Sequence, residues 1–169
     1  VLEEITVTAR QRTESLQGVP VAVTVMDESM IQKTFAQNLG ELGDYAPNVT
    51  IGTVPGFTAA YIAIRGVSTG GIPSTFDPAV TLAVDGFYLG HYQASLLDMF
   101  DIQQVEILRG PQGTLFGKNT IGGVINVSTK RPSGEFGVQA KARVGNEGRQ
   151  DIMAAVSYTH LTLPTKRIV

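Results

Sequence analysis

Residues 66–70 of the sequence read Gly-Val-Ser-Thr-Gly, which is the spacing of the nucleophile elbow in serine hydrolases. An elbow needs a strand before the serine and a helix after it. A strand is predicted before Ser68, but the Gly-Ile-Pro that follows is a poor start for a helix. Asp77, Asp85 and His91 complete the order of a catalytic triad, yet they are too close together in the chain for that hydrolase fold. A serine hydrolase that uses Ser68 therefore remains only an alternative interpretation.

Residues 110–120 read GPQGTLFGKNT and have some likeness to a phosphate-binding loop. The pattern fails because three residues separate Gly113 from Gly117 where four are required, and Asn119 stands where Ser or Thr would bind magnesium. The segment is therefore predicted to be a tight-turn loop. A metal site has no support either, since the sequence has 2 histidines, no cysteine and no His-Glu-x-x-His motif. No cofactor and no metal are expected.

Composition favours short strands joined by tight turns over a helical bundle. The 169 residues are enough for one main domain, and they include 19 glycines and 8 prolines. A net charge of -2 gives no reason to expect nucleic acid as a partner. No window of about eighteen apolar residues could form a membrane-spanning helix. No signal peptide is visible at the start, so an exported protein would have lost its leader.

Local patterns predict an α+β fold, with a small mixed β-sheet, short helices and glycine-rich loops. Residues 3–14 lack a helical apolar stripe and are predicted to form an exposed, extended arm. Asp27 is placed to cap a short amphipathic helix over residues 28–37. The apolar face of this helix would carry Met30, Ile31 and Phe35. Strands are predicted at residues 19–25, 61–65, 79–84, 102–108 and 123–128, with a further helical turn at residues 39–45.

Residues 136–144 alternate between apolar and polar side chains, and a second strand is predicted after a turn at residues 145–148. One face would carry Phe136, Val138, Ala140, Ala142 and Val144, and the other Gln139, Lys141 and Arg143. A half-buried soluble hairpin and the apolar-out strands of a transmembrane barrel both fit this pattern. The final segment, residues 156–169, resembles the conceptual translation of a sequencing adapter, so it and His160 are set aside; a genuine strand and tail is the alternative.

Four segments, in order, resemble the successive signatures of the plug domain of TonB-dependent outer-membrane receptors. They are EITVTA at residues 4–9, YIAIRGV at 61–67, AVTLAVDGFYLG at 79–90 and VEILRGPQGTLFGKNTIGGVINVSTKRP at 105–132. The first alone would be weak evidence because short runs of Thr, Val and Ala are common. The last is long and specific, and the resemblance covers essentially residues 3–132.

The resemblance implies a definite architecture, in which a plug sits inside a 22-stranded barrel in the outer membrane of a Gram-negative bacterium. Residues 1–15 would be an exposed periplasmic arm with the TonB box, residues 16–132 the plug, and residues 133–155 the incomplete first barrel hairpin. Residues 156–169 would be the adapter-derived tail. In such a hairpin the alternating apolar face meets lipid, and Lys141 and Arg143 point into the lumen.

The resemblance also implies the function of a receptor, not an enzyme, for active uptake of a scarce nutrient such as a ferric siderophore. Its partners would be the periplasmic energy-coupling protein TonB, its own barrel domain and the small-molecule ligand. TonB would pair with the arm through backbone hydrogen bonds, as an added strand does. The TonB-binding residues would be Ile5, Thr6, Val7, Thr8 and Ala9. A soluble interaction module is the alternative class of function.

Two further groups of residues receive roles from the resemblance. Arg65 and Arg109 would pair with carboxylates on the inner wall of the barrel and lock the plug by geometry, and Glu106 would share that network. An ordinary surface salt bridge is the alternative for each. The ligand would meet Ser74, Phe76, Tyr88, His91 and Tyr92, which could equally pack against the barrel.

Overall fold

A computed structural model describes residues 6–7, 14–53, 60–68, 77–89, 97–131, 135–148 and 150–157 of the chain. The chain divides into two compact units, Val1–Thr129 and Lys130–Val169. In these described ranges, no helix is both long enough and apolar enough to cross a membrane.

A five-stranded mixed sheet forms the centre of the first unit. Its strands are β3 (Ala22–Asp27), β7 (Val80–Val84), β8 (Phe87–Leu89), β9 (Ile102–Arg109) and β10 (Gly123–Thr129). They lie side by side in the order β3, β9, β10, β7, β8. β9 is antiparallel to both of its neighbours, whereas β10 is parallel to β7. Parallel and antiparallel pairs in one sheet, with few helices beside it, confirm the predicted α+β class.

Two smaller sheets complete the first unit. β4 (Val49–Thr53), β5 (Ala60–Ile64) and β6 (Val67–Ser68) form an antiparallel sheet in that order. β5 and β6 are joined by Arg65 and Gly66, both with positive φ, as the tightest hairpin turns require. At the N-terminal side, β1 (Thr6–Val7) pairs antiparallel with β2 (Glu14–Ser15).

The first helix, α1 (Glu28–Thr34), begins where the sequence predicts and ends earlier. The side chain of Asp27 accepts a hydrogen bond of 2.7 Å from the backbone N–H of Met30, which is the predicted cap. Phe35 has left-handed backbone (φ 54) and its side chain is 86% exposed, so its predicted place on a buried helical face is wrong. The reason is non-local, because Gln37 accepts a backbone hydrogen bond from Met99 and so leaves the helical path.

Two further short helices follow, α2 (Leu39–Leu42) and α3 (Gly113–Phe116). The side chain of Asn38 accepts a hydrogen bond from the backbone N–H of Glu41, and the Glu41 carboxylate accepts from the Asn38 amide. This reciprocal arrangement resembles a capping box and fixes the start of α2. Single-turn 3-10 helices are found at Leu16–Gly18, Gly43–Tyr45 and Asn146–Gly148.

Alternation along β9 divides the buried side chains between the two faces of the sheet. Val105 and Ile107 join the larger cluster, which α1, α2 and β5 cover on one face. Leu108 belongs to a smaller cluster with Val7 and Val124. The larger cluster includes the fully buried Met26, Leu39, Leu42, Ile62, Ile64, Leu82 and Ile125. The N-terminal arm thus contributes to the packing of the sheet.

The turn between β7 and β8 also binds Thr129, the last residue of the first unit, through hydrogen bonds. Asp85 and Gly86 have positive φ and form this two-residue turn. The two carboxylate oxygens of Asp85 accept hydrogen bonds from the backbone N–H and the hydroxyl of Thr129, at 2.9 Å and 2.7 Å. Asp85 therefore holds the chain at the point where β10 ends.

The second unit contains one antiparallel hairpin of β11 (Gly137–Val144) and β12 (Gln150–Ser157). The hairpin keeps the predicted alternation, because Lys141 and Arg143 are two residues apart in β11 and so leave the same face. In the register, Lys141 lies opposite Met153 and Arg143 lies opposite Asp151. The largest exposed apolar side chains on the strands are Val138, Val144, Ile152 and Val156, which are 60–85% exposed. β12 continues through Val156 and Ser157, so the strand includes the first two residues of the segment that resembles an adapter translation.

Candidate functional site

The directions of the strands determine which predicted functional residues lie at each end of the five-stranded sheet. β7 and β10 start at the same end because they are parallel, and the antiparallel strands β8 and β9 finish there. Arg109 and Asn119 lie at or beyond this end, together with the start of β7. The opposite end carries the start of α1, after Asp27, and Gln104, which pairs with Asp27. Arg109 therefore lies at one end of this sheet and Gln104 at the other.

Arg65 and Arg109 lie close together, as two turns bring the ends of β5 and β9 near each other. A Cβ placed on Gly110 would be 4.0 Å from Nη1 of Arg65. Arg109 donates a hydrogen bond through Nη2 to the hydroxyl of Thr24, while its buried Nε has no hydrogen-bond partner among the described residues. Burial, and then the charge of Arg65, lower the pKa of Arg109. Two neighbouring guanidinium groups with an unused buried donor form a site that suits a carboxylate.

Gly123 keeps the strand next to Arg109 in place. It pairs with Arg109 across β10 and β9, and its φ of +146 is one that side-chain-bearing residues rarely adopt. A Cβ at this position would lie 2.2 Å from the carbonyl oxygen of Leu108 and 2.9 Å from Cδ1 of Ile64. The close approach of these two strands behind the arginines therefore depends on glycine.

Glu106 belongs to a different cluster from Arg109, contrary to the predicted shared network. The two residues are three positions apart in β9, so their side chains leave opposite faces of the sheet. Glu106 is fully buried (0% exposed), and its oxygens accept hydrogen bonds from the amides of Gln104 at 2.8 Å and Asn126 at 3.1 Å. This carboxylate thus links strands β9 and β10 from within.

The described part of the N-terminal arm is docked on the sheet, which corrects the prediction of an exposed arm at Val7. The Val7 side chain is 1% exposed and packs in the cluster of Leu108 and Val124, whereas Thr6 is exposed. Period-two alternation explains the difference between these neighbours. The carbonyl oxygen of Thr6 accepts a hydrogen bond of 3.2 Å from the amide of Gln104. The other three predicted TonB-binding residues, Ile5, Thr8 and Ala9, lie outside the described residues.

Tyr88 is the predicted ligand-facing residue that the structure describes, and it is 41% exposed. Its hydroxyl accepts a hydrogen bond of 3.0 Å from the amide of Asn119, which also donates to Asp77 at 3.2 Å. The carbonyl of Asn119 accepts from Thr81 at 2.8 Å, and the φ of Asn119 is 68. Sequence reasoning missed this role of Asn119, although an asparagine in a glycine-rich loop signals left-handed backbone. The remaining predicted ligand contacts, Ser74, Phe76, His91 and Tyr92, lie outside the described residues.

The two motifs that suggested enzyme chemistry have structural explanations. Ser68 lies within β6, opposite Ala63, and its hydroxyl is 2.9 Å from the hydroxyl of Tyr61, whereas an elbow serine stands at a strand-to-helix turn. The loop after Arg109 is closed by backbone hydrogen bonds from Gln112 to Thr120 and from Gly110 to Gly122, as a tight-turn loop would be. Among the residues that the structure describes, no three His, Cys, Asp or Glu side chains form a candidate metal site.

Comparisons with known proteins show the family to which this fold is similar. Residues 15–124 match the family model described as the TonB-dependent Receptor Plug Domain. The pesticin receptor of Yersinia enterocolitica is 33% identical over 125 residues, which are 73% of this chain and 18% of that protein. The ferrioxamine receptor of Yersinia enterocolitica is 28% identical over 147 residues, or 83% of this chain and 20% of that protein.

Solved structures show the same likeness. The ferric yersiniabactin uptake receptor FyuA from Yersinia pestis superposes with a TM-score of 0.72 at 30% identity, covering 82% of this chain and 22% of that one. The structure of the FpvAI–pyocin S2 complex has a TM-score of 0.75 at 19% identity over 93% of this chain and 20% of that one, which supports the fold alone. The chain spans about a fifth of the length of the relatives that it matches.

These relatives are receptors and transporters and not enzymes, which argues against the serine hydrolase alternative. The family model, moreover, covers most of the first unit of the structure. The chain therefore belongs to the plug-domain family of TonB-dependent receptors.

Proposed function

We propose that this chain is the plug and the first barrel hairpin of a longer receptor in the outer membrane of a Gram-negative bacterium, which imports a ferric siderophore with energy supplied by TonB. The match of residues 15–124 to the plug family carries the proposal. The names of several relatives refer to siderophores, among them ferrioxamine and ferrichrome. A receptor in the outer membrane has no ATP, so the energy for import would come from a periplasmic protein that pulls on it.

The proposed organisation places an arm at residues 1–15, the plug at 16–132, a barrel hairpin at 133–155 and an adapter-derived tail at 156–169. The division of the structure after Thr129 supports a boundary in this region. The exposed valines and isoleucine of β11 and β12 support a strand pair that meets lipid in a closed 22-stranded barrel. Lys141 and Arg143 would then face the lumen.

Energy coupling is assigned to the five residues from Ile5 to Ala9, to which a strand of TonB would add by backbone pairing. The structure supports the strand-forming character of this segment, since Thr6 and Val7 already form β1. Because Val7 is buried, the arm would have to leave the sheet before all of its backbone is available to TonB.

Arg65 and Arg109 are assigned to locking the plug against carboxylates of the barrel wall. Their proximity, the lowered pKa of Arg109 and its unused Nε support this role. The ligand is assigned to the end of the sheet that bears Tyr88, where loops on a rigid element present side chains. Ser74, Phe76, His91 and Tyr92 are assigned to the same ligand-facing surface.

The proposal is tested in a Gram-negative host that lacks its own siderophore receptors. The intact gene is expressed in strains with and without TonB, and uptake of ⁵⁵Fe is measured with ferrioxamine B, ferrichrome and ferric yersiniabactin. We expect uptake of at least one of these chelates that requires both the receptor and TonB. Uptake that is equal in the strain without TonB would contradict energy coupling. A gene without further alternating strands beyond Ala155 would contradict the barrel.

A further inference from the structure

Gln104 lies at the end of the sheet opposite the arginines, and its amide nitrogen has two hydrogen-bond acceptors. Nε2 is 2.8 Å from Oε1 of Glu106 and 3.2 Å from the carbonyl oxygen of Thr6. We propose that Gln104 is a positioning residue that holds the N-terminal arm on the sheet, with Glu106 fixing the orientation of its amide. This inference rests on the proposed role of Thr6 and Val7 in binding TonB, and it names the residue that controls access to them.

Glu106 determines which end of the Gln104 amide faces the arm. A carboxylate only accepts hydrogen bonds, so the amide must turn its NH₂ group, and not its oxygen, toward Glu106. The NH₂ group has a second hydrogen, which is then directed at the carbonyl oxygen of Thr6. Asn126 holds the other oxygen of Glu106 at 3.1 Å, and Glu106 is fully buried, so the carboxylate has little freedom to move. The orientation of Gln104 is thus set from the interior of the sheet.

The described part of the arm forms only a short strand pair, so its other contacts help to hold it. Among the described residues, β1 comprises two residues and pairs with the two residues of β2. An isolated ladder of this length is not stable in water. Burial of Val7 holds one face of β1, and Gln104 holds the carbonyl of the preceding residue. A partner strand that seeks the backbone of this segment would therefore compete with both contacts.

The first test measures access to position 7 in the full-length receptor in outer-membrane vesicles. Residues 1–169 have no cysteine, so Val7→Cys adds one thiol to this part of the protein, and its labelling rate by a maleimide is recorded. Gln104→Met keeps the length of the side chain and removes its N–H donors. We expect labelling to become roughly two to ten times faster, as for loss of one hydrogen bond. The matched control is Gln103→Met, a change at the exposed neighbouring position, which should leave the rate unchanged.

A second reporter separates release of the arm from unfolding of the sheet. Ile125 is fully buried in the larger cluster, so labelling of Ile125→Cys reports global opening. The proposal requires that Gln104→Met accelerates labelling at position 7 and not at position 125. Equal rates at position 7 for Gln104→Met and Gln103→Met would overturn it, as would equal acceleration at both reporters. Hydrogen–deuterium exchange of the peptide that contains Thr6 and Val7 gives the same comparison without a cysteine.

Two outcomes distinguish this inference from the proposed function. If TonB crosslinks to the arm more readily in Gln104→Met than in Gln103→Met, then Gln104 controls access to the TonB-binding segment. If labelling at position 7 accelerates while TonB crosslinks elsewhere, the role of Gln104 stands and the assignment of the TonB-binding segment fails. Glu106→Gln should also accelerate labelling at position 7, since a glutamine can turn a donor toward Gln104; an unchanged rate would remove Glu106 from the arrangement.

Discussion

Replacement of Gly123 by alanine should destabilise the plug strongly. The added Cβ would lie 2.2 Å from the carbonyl oxygen of Leu108, and this contact is with backbone, which cannot turn aside as a side chain can. The backbone strain of a side chain at φ +146 costs about 1–3 kcal/mol. Overpacking against Leu108 and Ile64 adds about 1–3 kcal/mol. The expected loss in the free energy of unfolding is therefore about 2–6 kcal/mol, against about 5–15 kcal/mol for a whole domain.

Urea denaturation of a fragment that contains the first unit, followed by circular dichroism, measures this loss. For an m value of about 2 kcal/mol/M, the midpoint should fall by roughly 1–3 M. Two other glycines separate the contributions. Gly86→Ala has positive φ (83) but open space around the new Cβ, so it should cost only strain, about 1–2 kcal/mol. Gly52→Ala has open space and needs no unusual φ, so it should be neutral or stabilising.

The order of the three variants is the decisive result. Gly123→Ala should be the least stable, Gly86→Ala intermediate and Gly52→Ala equal to or above the unsubstituted protein. A midpoint for Gly123→Ala that is no lower than that of Gly86→Ala would refute the collision with Leu108. It would mean that β9 and β10 can separate far enough to accommodate the added Cβ without loss of packing.

Three further predictions concern other residues. Val7→Pro should abolish uptake in the full receptor while ligand binding is retained, because proline cannot contribute a backbone donor to a partner strand; unchanged uptake would refute the assigned arm. Asn119→Gly keeps the left-handed backbone, so in urea denaturation it should be more stable than Asn119→Ala by about 1 kcal/mol; equal stability would argue against strain at this position. Asp85→Ala should free Thr129 and increase the rate of tryptic cleavage after Lys130, whereas a rate equal to that of the unsubstituted protein would show that Asp85 does not hold this residue.

Local features of the fold were predictable from the sequence, because neighbouring residues determine them. The cap at Asp27 needs only the backbone N–H of Met30, three residues away. The end of α1 was not predictable in this way, since residues near Gln37 leave the helix to pair with Met99. Helical spacing places Phe35 on a buried face, but the pairing with Met99 takes the chain out of the helix and leaves Phe35 exposed.

The residues of the candidate site also divide into those whose placement the sequence predicts and those whose placement it does not. Arg65 and Arg109 were identified from signature segments, and the structure brings them together. Burial of Val7 could not be foreseen, because alternation indicates that one face is covered without indicating what covers it. The separation of Glu106 from Arg109 was foreseeable, as counting along β9 places the two residues on opposite faces.

The order of the strands has a consequence for the biogenesis of an exported chain. β9 and β10 lie at the centre of the sheet, yet they are the last of its five strands along the chain. In the proposed exported receptor, β3, with its β-branched run, must therefore wait for β9, and β7 can pair with β8 at once but must wait for β10 until the residues up to Thr129 have crossed the inner membrane. Strands that are far apart in the chain pair slowly, and the unpaired strands are prone to aggregation until they do. We expect this segment to depend on periplasmic chaperones for longer than a meander of equal length would.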